Sequence, residues 1–350
     1  MVDVIISFDS EDFLTPEAAD AELWWAQALR ERGIRGSFQL VGEMVRSLIR
    51  SGRIDVIGAI AEHEIGYHSN FHSLPPTHPP AVDGMSLADA IAYIMKTEAG
   101  GVADVAAACS AWPISYCSPG DSWTPATLLA MARMGMHVFC NDRIRHPSGV
   151  PYWYCGMLIA NYDEDFQDFY DDSVFIPGAF EKRFVELEAA TPEDGVIILY
   201  THPTRLVTAD FWDVPFYGGV HDEISRCPTA PLRPAAEIER NKLRCRQWLD
   251  WLRQRAGLRF IDFATLYAER SVARRGIDAL CAEHGLKPGG EGQLPIRQSS
   301  HGTFLPSASF AERKYSWKPY PADFVGSRLI EQGADLTWTA APARRSLSHS

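Results

Sequence analysis

VIISFDSEDF, residues 4–13, sets a short apolar run against three acids in the four positions that follow it. An apolar run without polar alternation reads as a strand buried on both faces, the kind that parallel sheets use. Asp9, Glu11 and Asp12 then fall at that strand's carboxyl end. The same pattern recurs along the chain: GSFQLV (36–41), IGYH (65–68), PISYC (113–117), MHVFC (136–140), VIILY (196–200) and LRFIDF (258–263) read as strands. Helical stretches separate them. Thr15-Pro16 is expected to open the first, with a hydroxyl N-cap and proline in the first turn, and Gly33 to close it. Others are expected over Glu43–Glu62, Leu87–Ala108, Pro125–Met134, Phe180–Ala190 and Ala235–Arg255. Repeated strand–helix units imply an α/β protein with a parallel sheet, open or closed into a barrel.

In such folds ligands sit at the carboxyl ends of the strands. The residues at those ends are Asp9, Glu11 and Asp12; His68 and His72; Ser118-Pro119-Gly120-Asp121; Asn141 and Asp142; and Thr201-His202-Pro203. Taken singly, each has a plain explanation. An H-x-x-x-H pair is often just solvated, SEDF can cap a helix, and a histidine before proline can belong to a turn. Their joint placement at strand exits argues for a site. Two imidazoles and a carboxylate form a facial set that leaves positions open on Zn²⁺ or a similar divalent ion. Such a metal acidifies water, and a hydrolase then needs a base and an acid. Asp9 and His202 are the natural candidates, because each ends a strand.

Composition narrows the partners. Of 350 residues, 46 % are hydrophobic and 22 % charged, as in globular proteins, and the formal net charge of −12 argues against nucleic acid or anionic lipid. The opening MVDVIISFDSEDF lacks the basic and apolar regions of a signal peptide, and no run approaches the ~20 apolar residues needed to span a bilayer. Seven scattered cysteines fit reduced thiols better than a disulfide framework. A cytoplasmic location is the expectation. After about residue 270 the alternation stops, and 287–309 is rich in glycine, proline and serine. Residues 1–270 are therefore read as the barrel domain. Residues 271–350 are read as an extension packed on it or placed at a homo-oligomer contact.

FDSED, HSNFH, YCSPGDSWTP and VIILYTHP, in that order over about residues 3–265, resemble the metal-dependent polysaccharide deacetylase superfamily, carbohydrate esterase family four and its relatives. The resemblance implies a distorted (β/α) barrel of about seven parallel strands. It implies Asp9 as general base, His202 as general acid, and His68 and His72 as metal ligands, with Zn²⁺ ahead of Co²⁺, Mn²⁺ or Ni²⁺. The family's commoner pattern has two adjacent aspartates, whereas Ser10 follows Asp9 here. Side chains two apart on an extended segment share a face, so Glu11 is the chosen third ligand and Asp12 the competitor. Cys117 stands where the family carries an arginine that orients the catalytic aspartate. Arg143, Arg145 and Arg205 are the available substitutes; otherwise the chemistry differs.

Pro119, Gly120, Asp121 and Trp123, on the loop after PISYC, are the expected substrate contacts. The aromatics Trp123, Trp153, Tyr154, Trp212, Phe216 and Tyr217 offer either stacking faces for a sugar or ordinary packing. FYGG (216–219) is a candidate lid. NYDEDFQDFYDDS (161–173) is acid-rich but lacks the spacing of a calcium loop. The expected activity is hydrolysis of a C–N amide bond, foremost deacetylation of an N-acetylated sugar or glycan. The alternatives are a small amide or cyclic ureide at the same site, a non-catalytic carbohydrate-binding protein, or a structural subunit using its tail for contacts.

Overall fold

The first strand is the axis of the sheet. In the computed structural model, which describes residues 1–140, 150–216 and 224–269 together with two-residue strands at 298–299, 302–303 and 339–340, β1 (Val2–Ser10) pairs in parallel with three other strands. After it come α1 (Ala18–Arg30), β2 (Ser37–Leu40), α2 (Gly42–Arg50), α3 (Ile54–Ile60), β3 (Glu64–Tyr67), α4 (His78–Ala81) and α5 (Leu87–Cys109). Then follow β4 (Ser115–Cys117), α6 (Pro125–Arg133), β5 (Val138–Cys140), β6 (Tyr152–Tyr154), β7 (Met157–Ala160), β8 (Glu164–Asp165) and α7 (Ala179–Ala190). β9 (Val196–Thr201), α8 (Ala235–Gln254), β10 (Leu258–Phe260) and α9 (Phe263–Glu269) complete the series.

Through these strands the sheet runs β6-β7-β5-β4-β3-β2-β1-β9-β8, with β10 beside the start of β1. Every pair among them is parallel except the β6–β7 hairpin. Helices surround the sheet, which curls into a distorted (β/α) barrel. The seven strand runs read from the sequence all appear as β1, β2, β3, β4, β5, β9 and β10.

The two-residue period of β1 divides the core. Val4, Ile6 and Phe8 face the helices and join the large outer cluster that includes Trp25, Phe38, Phe166 and Trp248. Ile5 faces inward with Cys117, Val138, Cys140, Leu158 and Ile198. Ser7 and Asp9 share the face of Ile5, so the barrel interior turns polar toward the carboxyl ends of the strands. Phe8 is fully buried and stacked on Phe38 at 4.8 Å. Truncating such a side chain to alanine costs about 3–5 kcal/mol.

Two expectations need correction, and one element is added. The stretch 43–62 is two helices, because Gly52 adopts φ +73° and Arg53 N–H returns to Leu48 O, which ends α2. Thr15 does not cap α1, which begins at Ala18 with no side-chain cap; Asp12 accepts the Leu14 and Thr15 amides instead, each at 2.9 Å. The β6–β7 hairpin was absent from the sequence reading. Its two-residue turn, Cys155-Gly156, has both φ angles positive, and cysteine is not a residue that advertises such a turn. Apart from the three short strands, residues 271–350 lie outside the described residues, as do Asn141, Asp142, Arg143, Arg145 and positions 217–219 of the candidate lid. Among the described residues no helix is long and apolar enough to cross a membrane.

Candidate active site

The histidine pair is shaped by the turn that leaves β3. Ser69 and His72 both take left-handed backbone angles, φ +69° and +54°, which fold the segment back on itself. The turn is held from three sides. Gly42 and Glu43, at the amino end of α2, donate their amides to Ser69 O and Asn70 O at 3.0 and 2.9 Å. His72 N–H donates to Ser69 Oγ at 2.9 Å. Beneath the turn, the buried Glu98 of α5 accepts Tyr67 O–H at 2.7 Å and Asn70 N–H at 2.8 Å through Oε2. Its other oxygen faces His78 Nε2 at 3.0 Å. α5 can come this close because of Gly101, where an added Cβ would lie 2.4 Å from Tyr67 O–H and 2.7 Å from Asn70 Oδ1.

The two imidazoles then converge, with ring centroids 5.0 Å apart. Nε2 of His68 and of His72 lie 3.1 and 2.8 Å from one oxygen, Glu11 Oε2. His68 Nδ1 is 2.9 Å from Cys117 O, an acceptor for its N–H, which leaves Nε2 facing Glu11. Glu11 Oε1 accepts the Trp212 indole N–H at 2.8 Å, which turns Oε2 toward the histidines. Behind His72, Nδ1 meets Ser73 Oγ at 3.0 Å and Asp213 Oδ2 at 3.4 Å.

This set fits a divalent cation. Ligand atoms of Glu11, His68 and His72 lie within 4.8 Å of one another, all on buried residues. Asp213 is fully buried, and its Oδ2 lies 3.4 Å from His72 Nδ1, while no other hydrogen-bond partner of its carboxylate is found among the described residues. Among the described residues no lysine or arginine pairs with Asp9, Glu11 or Asp213. Buried negative charge of this kind is costly without compensation. Burial alone would raise the Glu11 pKa, but His72, His202 and His68 hold it well below the usual carboxylate value. Burial would likewise lower His72, yet the Glu11 and Asp213 carboxylates push it up to about 10. The site thus demands positive charge where the three ligand atoms meet. Asp9, His68 and Cys117 form a second cluster within the same 4.8 Å limit. The two clusters share His68, whose other ring nitrogen faces Cys117 O, so they are not independent.

Asp9 and His202 lie beside this set. His202 Nε2 is 3.7 Å from Asp9 Oδ2, and His202 projects from the end of β9 just before Pro203 starts a 3₁₀ turn. Asp9 Oδ1 accepts the Tyr162 O–H at 2.7 Å, while Cys117 Sγ lies 3.9 Å from Oδ2. Arg205, one of the expected substitutes for the family arginine, bonds Ala209 O instead and does not reach Asp9. Among the described residues, the side chain that donates to Asp9 at normal hydrogen-bond length is Tyr162.

Asp12 is spent elsewhere. One oxygen caps the Leu14 and Thr15 amides and the other accepts Thr204 O–H at 2.6 Å. Burial raises its pKa to about 6 despite these bonds. Beneath the β1 exit, Glu22 accepts Ser10 O–H at 2.8 Å, and burial pushes it up to about 8.

On the expected substrate loop, Pro119 and Ser122 line a cavity of about 240 Å³ that adjoins the site through Ser69 and His72. Gly120 takes φ +47° within the 119–121 turn, and the side chain of Asp121 lies outside the described residues. Trp123 does not face the cleft: it is buried edge-on to Phe139, with ring centroids 5.3 Å apart. Trp153, Tyr154, Trp212 and Phe216 are buried too, so these aromatics pack and do not present stacking faces. In the acidic segment Arg183 pairs with Glu164 and Asp168, and Arg240 and Arg244 of α8 pair with Asp172.

No family model matches the chain, and no curated protein matches its sequence. Solved structures do match. A Mycobacterium smegmatis protein assigned as a polysaccharide deacetylase shares 17 % identity over 79 % of this chain and 95 % of its own, with a TM-score of 0.49. The 4-α-glucanotransferase of Thermococcus litoralis shares 11 % identity over 77 % of this chain, with a TM-score of 0.51, and this chain spans 40 % of its length. A family 4 carbohydrate esterase from Streptomyces lividans, solved with acetate, shares 14 % identity over 71 % of this chain and 88 % of its own, with a TM-score of 0.37. At these identities the likeness is one of fold.

Proposed function

We propose that the chain is a metal-dependent hydrolase of a C–N amide bond, acting foremost on the acetamido group of an N-acetylated sugar or glycan. The observation that carries this reading is the meeting of two groups at adjacent strand exits. Glu11, His68 and His72 form a ligand set, and Asp9, within 4.8 Å of His68, forms a proton-transfer pair with His202. The motif order along the chain supports the same reaction. Glu11, His68 and His72 would hold a divalent cation, Zn²⁺ before Co²⁺, Mn²⁺ or Ni²⁺, which would supply Lewis acidity toward an acyl oxygen and acidify water.

The chain's own residues supply the rest. Tyr162 occupies one oxygen of Asp9, leaving Oδ2 to take a proton from the attacking water. The water oxygen bonds to the acyl carbon as the C–N bond breaks, and His202 gives the leaving nitrogen its proton. The products are a carboxylate and an amine. Glu11 is kept ionised by its three histidine neighbours and oriented by Trp212.

A second reading, hydrolysis of a small amide or cyclic ureide, has one observation in its favour. The cavity beside His72 is compact, about 240 Å³, and Phe71, Leu74, Pro75, Pro76 and Tyr93 make its wall largely apolar. One panel separates the two. Protein loaded with Zn²⁺ or Co²⁺ is offered N-acetylated amino sugars, their oligomers, small acetamides and cyclic ureides, and acid and amine release are measured. Turnover abolished by chelation and by His68→Ala is expected. No product from any member of the panel would sink the hydrolase reading.

A further inference from the structure

We propose that Tyr162 is the positioning residue for Asp9, fixing which carboxylate oxygen faces the reacting water; this rests on the amide-hydrolase reading above. Asp9 has no arginine or lysine partner among the described residues. Among the described residues its Oδ1 accepts one hydrogen bond, 2.7 Å from the Tyr162 hydroxyl, and its Oδ2 faces His202 at 3.7 Å and Cys117 Sγ at 3.9 Å. One oxygen is therefore anchored and the other is left toward the cleft.

The anchor is itself held. Tyr162 is buried and stacked on Tyr200 at 4.2 Å with the rings 8° from parallel, and its hydroxyl lies 3.2 Å from Ser7 Oγ. Tyr200 and Ser7 lie on β9 and β1, the strands that also deliver His202 and Asp9. A single pair of adjacent strands thus sets the base, the acid and the side chain that orients the base. Cys117, opposite, is a poor hydrogen-bond donor and leaves Oδ2 lightly constrained. A tyrosine hydroxyl also adds no charge, so it orients the carboxylate without pairing it as a guanidinium does.

The test is Tyr162→Phe in the full, metal-loaded chain, which keeps the ring stack and removes one oxygen. A base displaced by about 1 Å loses up to 10²-fold in rate. The expected result is a kcat lower by about 10- to 100-fold, with KM and Zn²⁺ affinity within about twofold of wild type, because Asp9, Ser7 and Tyr200, the described partners of Tyr162, are not metal ligands. A merely structural role would lower metal affinity and thermal stability along with kcat. The second readout is a crystal structure of the variant, in which the Asp9 carboxylate is expected to turn about χ2. A kcat within about threefold of wild type overturns the proposal. If wild type hydrolyses no amide, the functional reading falls separately and the crystal structure alone decides, an unmoved Asp9 overturning it.

Discussion

Replacing Asp213 by asparagine tests whether the ligand set is built for a cation. Asp213 is fully buried, its Oδ2 lies 3.4 Å from His72 Nδ1, and no other partner of its carboxylate is found among the described residues. Asparagine keeps the shape and removes the charge. At an effective dielectric of ~20, two unit charges at that separation interact by ~5 kcal/mol. Only part of this appears in metal affinity, because Ser73 Oγ still holds the same nitrogen at 3.0 Å. Carboxylates behind metal-bound histidines typically contribute about 10- to 100-fold in affinity, or ~1.4–2.7 kcal/mol. Competition against a chromophoric Zn²⁺ chelator is expected to show an Asp213→Asn loss in that range. Ser73→Ala, which removes a neutral hydrogen bond, is expected to lose less than about fivefold. A Kd for Asp213→Asn within about twofold of wild type, or a smaller loss than Ser73→Ala, would refute the reasoning.

Trp212→Phe removes the indole N–H that turns Glu11, and a Zn²⁺ affinity weaker by about 10-fold is expected in the same competition assay; an unchanged affinity would mean that packing alone orients Glu11. Glu22 bears on pH. Its folded-state pKa is raised from 4.5 to about 8 by burial, so its contribution to stability is complete below about 4.5 and is lost as pH rises toward 8. Denaturant midpoints of wild type are therefore expected to fall across that window, and Glu22→Gln to fall by ~1–2 kcal/mol less; parallel profiles would contradict this. Gly101→Ala puts a Cβ 2.4 Å from Tyr67 O–H, and we expect it to destabilise the fold by ~1–3 kcal/mol and to weaken Zn²⁺ binding through the 68–72 turn. Normal stability and affinity would show that α5 can retreat at little cost.

The sequence by itself determined the parallel strand–helix repeat and the rim at which polar residues gather; closure into a barrel was implied only by the family resemblance. A buried parallel strand must be apolar along its length, so β1, β5 and β9 announce themselves, and polar residues that end such runs fall at one rim. That is why Asp9, Glu11, His68, His72 and His202 were legible: each follows a run whose local pattern says where it stops. The β6–β7 hairpin was not legible, since its turn is made by Cys155-Gly156. Nor were the partners. Tyr162 meets Asp9 across 153 residues of chain, Trp212 meets Glu11 across 201, and Asp213 and Glu98 lie in segments with no strand-exit signature. The choice between Glu11 and Asp12 also belonged to tertiary structure. Both follow β1, but Thr204 and the 14–15 amides take up Asp12, while two histidines and an indole converge on Glu11. Local periodicity fixes which face a side chain leaves by, whereas its partner is set by segments distant in sequence that only folding brings within hydrogen-bond reach.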